Sequence, residues 1–153
     1  MDLFGCNEFG QGDVASTLRE VIAVWREYSR VETPWGGMPL DDRTGRIGPI
    51  ATELLEHGRG LSCPQRRRRI RACSIAHGRY RRAQGCMEGV VSDDFVLLRR
   101  SVKLALWRIG TSGASTQECM QCILPEWRFA RRAALDGHRH GLFERLDRES
   151  SFD

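Results

Sequence analysis

The stretch His77–Arg100, HGRYRRAQGCMEGVVSDDFVLLRR, ends one helix and begins another. Its first half is basic and its second half apolar, with a break at Gln84-Gly85 where glycine can turn the chain. Upstream of the break, Ile70, Cys73, Ala76, His77, Tyr80, Ala83 and Gln84 share one arc at about 100° per residue. Arg67, Arg68, Arg71, Arg79 and Arg82 lie opposite. This places His77 on or beside the buried face and Arg81 at its boundary. Downstream, Val91, Phe95, Leu98, Val102, Leu106 and Ile109 form one apolar stripe, and Val96, Leu97, Leu104 and Trp107 form a second. A helix apolar on two sides is packed on two sides. The Met87–Ile109 helix is therefore expected at the centre of the fold, closed by Gly110 and Gly113.

Outward from this pair the pattern stays helical. Val14, Leu18, Val21, Ile22, Trp25 and Tyr28 recur at three- and four-residue spacing, with Asp13 as the N-cap and Thr33-Pro34-Trp35-Gly36-Gly37 as the stop. A shorter helix follows Leu40 and runs to Leu55, with Asp41 and Asp42 at its positive end and Pro49 as a cost inside it that either makes the first turn irregular or sets the true start near Gly48. Ser62-Cys63-Pro64 starts the basic helix. After a polar linker, Thr111–Thr116, a short helix over Glu118–Leu124 is interrupted by Pro125. A last helix then runs from Glu126 to Asp147. Its face of Trp127, Ala130, Ala134, Gly137, His138, Gly141, Leu142 and Leu146 contains small residues that permit close backbone approach. Residues 1–12, where Leu3, Phe4 and Phe9 could dock, and 148–153 read as disordered tails. Residues 13–147 read as one all-α domain, a five-helix bundle or globin-like packing.

Composition narrows the class. The chain has 153 residues, 41% apolar and 29% charged, with a net charge of +4, as expected of one ordinary globular domain. No apolar run is long enough to cross a bilayer, and MDLFGCNEFGQGD lacks the basic start and apolar core of a secretory signal. A cytoplasmic protein is expected, in which the six cysteines are free thiols.

Each candidate for chemistry has a plainer reading. Cys119 and Cys122 form a C-x-x-C, and with His138 they are the residues that would carry zinc. Four convergent ligands are not in view, so no metal or cofactor is expected. The Arg66–Arg71 run could meet phosphate, but it lacks interleaved aromatics and a base-reading helix, so nucleic acid is not expected as partner. His77 reads as a partly buried histidine bonded to a neighbouring helix. Asp94, at the edge of the apolar stripe, needs a cation or donors, and the turn at Gly85 brings it near His77 and Arg81. A structural lock is expected there, with Arg99 acting similarly at the other edge.

The run H-x-R-x-R-x-x-Q-G followed by D-F-x-x-L-R resembles the N-terminal domain of RsbRD-type proteins, the RsbT co-antagonists and bacterial sensor-kinase input modules. The positions that carry it are His77, Arg79, Arg81, Gln84, Gly85, Asp94, Phe95, Leu98 and Arg99. Arg132, Leu135 and Asp136 match the family's final R-x-x-L-D. The likeness covers roughly residues 14 to 147. Two departures stand out. Asp94 and Phe95 replace a glutamate and a tyrosine, and Cys86-Met87-Glu88 lacks the usual helix cap.

The resemblance implies a haem-free sensory or regulatory module that acts on proteins: a kinase, a STAS domain or an anti-sigma-type component, or a second copy in a homodimer. Since the chain stops soon after its last helix, a stand-alone module or a truncated remnant is expected. No nucleophile, base and orienting group assemble in the sequence, so no enzyme is expected. The alternative is a small metal- or nucleic-acid-binding regulator using the C-x-x-C and the arginine run.

Overall fold

The computed structural model of the chain describes residues 13–61 and 63–150, the last ten by their backbone alone. Among these residues the structure is all α, a bundle of six helices without strands: α1 (Val14–Ser29), α2 (Leu40–Thr44), α3 (Ile47–Gly58), α4 (Arg66–Ala83), α5 (Glu88–Arg108) and α6 (Gly113–Ser150). No helix among them is long and apolar enough to cross a membrane. The tail expected over 1–12, with Leu3, Phe4 and Phe9, lies outside the described residues, as do Ser62, residues 151–153 and the side chains of Gly141, Leu142 and Leu146.

The helices start and stop where local chemistry dictates. Asp13 caps α1, its carboxylate accepting from the Ser16 amide at 2.6 Å. Gly85, with φ of 80°, ends α4. Its amide donates to the Arg82 carbonyl and the Cys86 amide to the Arg81 carbonyl, a paired closure that requires a left-handed residue. Met87 precedes α5 with no side-chain cap, as its sequence foretells.

The helices divide differently from expectation at two places. The Leu40–Leu55 segment breaks at Gly45, whose φ of 56° no right-handed helix contains. Pro49 then falls in the first turn of α3, where an amide has no helical partner anyway. In contrast, the two segments around Pro125 are one helix. Ser112 caps it, its hydroxyl accepting from the Ser115 amide at 3.2 Å, so the expected linker is mostly helix. Proline inside a helix costs about 3 kcal/mol. Around it, Ile123 and Ala130 are buried and the Trp127 indole donates to the Phe95 carbonyl at 2.9 Å. A buried large apolar side chain gains about 1.5–3 kcal/mol and a hydrogen bond about 0.5–1.5 kcal/mol, so these contacts together offset the proline. The backbone remains helical to Ser150, past the end expected near Asp147.

The core joins Val21 and Trp25 of α1, Ile50 and Leu54 of α3, Ile70 of α4, Phe95, Leu98 and Leu106 of α5, and Ile123 and Ala134 of α6. α4 lies most extensively along α6. Glycines make that crossing possible. A β-carbon added to Gly78 would sit 1.9 Å from the Ala134 carbonyl oxygen, and one added to Gly137 would sit 2.5 Å from that of Ile75. The close approach expected of the small residues on the last helix occurs here, backbone to backbone.

Two expected faces are corrected. The buried side of α4 is Ile70, Ser74, His77, Gly78 and Arg81, while Ala76 and Ala83 are exposed. Arg81 thus stands in the middle of the buried face, not at its boundary. The second stripe of α5 is not covered. Leu97 is buried, but Val96 is 58% and Trp107 67% exposed. One side of α5 packs and the other opens onto a groove against α6.

Candidate functional site

The turn at Gly85 sets α4 and α5 side by side, and their facing polar residues meet beneath α2. Asp94 lies at the centre. Its Oδ2 accepts from His77 Nε2 at 2.8 Å and from Arg81 Nε at 2.8 Å. Its Oδ1 accepts from Arg81 Nη2 at 3.0 Å and from the Trp35 indole at 2.8 Å. A carboxylate has about four lone-pair sites, and these four donors fill them.

Arg81 is equally saturated. Beyond its bidentate grip on Asp94, it donates through Nη2 to the Arg43 carbonyl at 2.8 Å and through Nη1 to the Asp42 carbonyl and to Gln84 Oε1. A guanidinium has five N–H donors, and all five are used. The two carbonyls end the short helix α2, so Arg81 caps its negative pole while pairing with Asp94. The Trp25 indole donates to the same Arg43 carbonyl at 3.1 Å.

His77 completes the set. Its Nδ1 accepts from the Arg46 amide at 3.2 Å. That nitrogen therefore carries no proton, and the proton on Nε2 is the one shared with Asp94. The ring meets Phe95 edge-on at 6.2 Å. Gly45 leaves room for the imidazole, since a β-carbon there would lie 3.0 Å from His77 Cε1.

The side chains of His77, Arg81 and Asp94 are wholly buried. Burial alone would raise the pKa of Asp94, but the hydrogen bonds from His77 and Arg81 and the charge of the guanidinium outweigh it and hold the carboxyl below its ordinary value. The charge balance is one guanidinium against one carboxylate. Breaking such a pair from one side leaves an uncompensated buried charge.

The structure gathers His77, Arg81, Gln84, Asp94 and Phe95 from the motif and separates the rest. Gly85 makes the turn and Leu98 belongs to the core. Arg79 is exposed on the α4–α6 side, lining a 580 Å³ groove with Arg71 and Arg132. Arg99 does not repeat the lock at the other edge. It is exposed and lies over the Trp127 ring at 5.8 Å. Trp35, Gly45 and the carbonyls of Asp42 and Arg43 were not foreseen as part of the network. The aromatic-proline-glycine connector was the only available hint of Trp35.

The zinc candidates do not converge. Cys122 and His138 lie on one uninterrupted helix, and sixteen residues at about 1.5 Å each put them about 24 Å apart. His138 is instead buried with Nε2 2.7 Å from the Cys86 carbonyl oxygen, bracing the turn between α4 and α5. Among the described residues no cluster of three metal-ligating side chains exists. Of the arginine run only Arg66 is buried, while Arg67, Arg68, Arg69 and Arg71 are exposed. Arg66 is buried against Glu53 and Glu56 of α3, and Arg67 pairs with Glu126 of α6 at 2.6 Å.

No family model, curated protein or solved structure matches the chain.

Proposed function

We propose that this chain is a non-catalytic regulatory domain of the cytosol that works by binding another protein, as its resemblance to the RsbRD N-terminal domain implies. One observation carries this reading. His77 and Asp94, the pair best suited to acid–base chemistry, have every hydrogen-bonding position filled from within the protein and no exposed surface. An acid–base pair must reach the proton it moves, and this one is sealed. Its role is architectural: it ties the α1–α2 connector, α2, α4 and α5 to a single point. Signals would pass as shifts in helix packing around it, on the model of packed interfaces with discrete arrangements.

The test is to express a tagged chain in its own cells, crosslink, and identify what it holds. One recurrent protein partner at near-equal stoichiometry is expected. Stoichiometric zinc, co-purifying nucleic acid, or substrate turnover that Asp94→Asn abolishes without unfolding the chain would contradict the proposal.

A further inference from the structure

The groove between α5 and the first half of α6 has a volume of 1010 Å³. Its walls are the uncovered stripe of α5, Val96, Leu104 and Trp107, and the facing Met120, Leu124 and Trp127 of α6. Val96 and Trp107, at 58% and 67% exposure, are apolar side chains left facing water on an otherwise well-packed helix. Contiguous exposed apolar surface of this kind marks interaction sites. Methionine lets such a wall adapt to what lies on it.

Charge selects the occupant. Among the described residues, three cations line the groove, Arg99, Arg100 and Lys103, and no carboxylate does. Arg100 also reaches Glu32 at 2.6 Å, with both side chains still substantially exposed. A second copy of the chain docked through this face would set the cations of both copies against one another, because a two-fold interface brings the same patch together. An acidic segment would neutralise them. Shape selects its conformation. Val96 to Trp107 is twelve residues of helix spanning about 16 Å, or about three turns. Two helical walls with no strand edge receive a third helix by its apolar face.

We infer that this groove docks an acidic amphipathic helix of a partner protein, its apolar face on Val96, Trp107 and Leu124 and its carboxylates toward Arg99 and Lys103. The inference rests on the regulatory reading above and names the chemistry of the partner. The apolar face supplies affinity, and the cationic rim supplies partner choice.

The probe is a synthetic helix of roughly four turns, with leucines at i, i+3, i+4 and i+7 spacing and glutamates elsewhere. A control peptide carries lysine in place of each glutamate. Binding is read by calorimetry at low and high salt. The acidic peptide is expected to bind, more weakly as salt rises, and the lysine peptide is not. Trp107→Ala is expected to weaken binding about tenfold or more, and the pair Arg99→Glu with Lys103→Glu to reverse the preference. These side chains are exposed, and circular dichroism and thermal melting confirm that each variant is folded. Equal binding of the two peptides, no binding of the acidic one, or no effect of Trp107→Ala overturns the inference. So does a homodimer that Trp107→Ala dissolves, which would make a second copy the occupant. A cellular partner held equally by wild type and Trp107→Ala overturns the groove and leaves the regulatory reading standing. Peptide binding without any cellular partner supports the groove and counts against that reading.

Discussion

Asp94 accepts four hydrogen bonds at a fully buried position, and this has a pH signature. Its pKa is lower in the folded chain than the ordinary value near 3.8. The unfolded state therefore takes up the proton first as pH falls. The stability that Asp94 confers is full above about pH 4 and is lost as pH drops through the folded value. Urea midpoints measured from about pH 7 down to about pH 3 should fall more steeply for wild type than for Asp94→Asn, which has no such proton to bind. Gly45 gives a second test. Gly45→Ala meets both a left-handed φ and a contact of 3.0 Å with the His77 ring, whereas Gly60→Ala meets only its φ of 77°. Left-handed backbone costs about 1–2 kcal/mol for an ordinary residue. Gly60→Ala should lose that amount in denaturant unfolding and Gly45→Ala distinctly more. Asp94 pairing was legible in the sequence because a carboxylate on an apolar stripe demands donors. Arg81 was misplaced because an arginine counts as polar until its five donors are seen to be filled. The acceptors that fill two of them are backbone carbonyls, which leave no trace in side-chain identity.

Periodicity located most of the helices, because amphipathic faces repeat wherever a core exists. It missed how α6 treats Pro125, since whether a proline interrupts a helix depends on packing that one sequence does not display. Pro125 is exposed, so replacing it loses no core contact and restores a helical hydrogen bond. Pro125→Ala should raise stability by about 1–3 kcal/mol in urea unfolding, and a loss would show that the proline shapes the crossing. The α4–α6 contact predicts the opposite sign. Gly78→Ala would push a methyl onto the Ala134 carbonyl, while Gly89→Ala meets nothing within 4 Å. Overpacking of this kind costs about 1–3 kcal/mol or more. Gly78→Ala should lower the thermal midpoint sharply and Gly89→Ala leave it unchanged or slightly higher. The second stripe of α5 is expected to be buried, because apolar residues at helical spacing seek cover. The structure shows that the cover is not supplied by the described part of this chain.

The bundle thus has a sealed polar centre and an open apolar side. α1 is held to α5 by Glu27 with Arg108, the connector after α1 is held to α5 by Glu32 with Arg100, and α3 is held to α4 by Glu53 and Glu56 with Arg66. The α1–α2 connector and α2 hang on the central network, through Trp35 and the carbonyls that Arg81 holds. A domain built this way hangs the α1–α2 connector, α2, α4 and α5 on one charged pair, so its stability depends on the coupling within that pair. The most direct measurement is a double-mutant cycle on Arg81→Met and Asp94→Leu by urea unfolding. Each single variant should lose about 3–5 kcal/mol, because it strands the other group in the interior. The double variant should lose less than their sum by about 2 kcal/mol or more. Single losses below about 0.5 kcal/mol that simply add would place both residues on an ordinary surface and contradict the account.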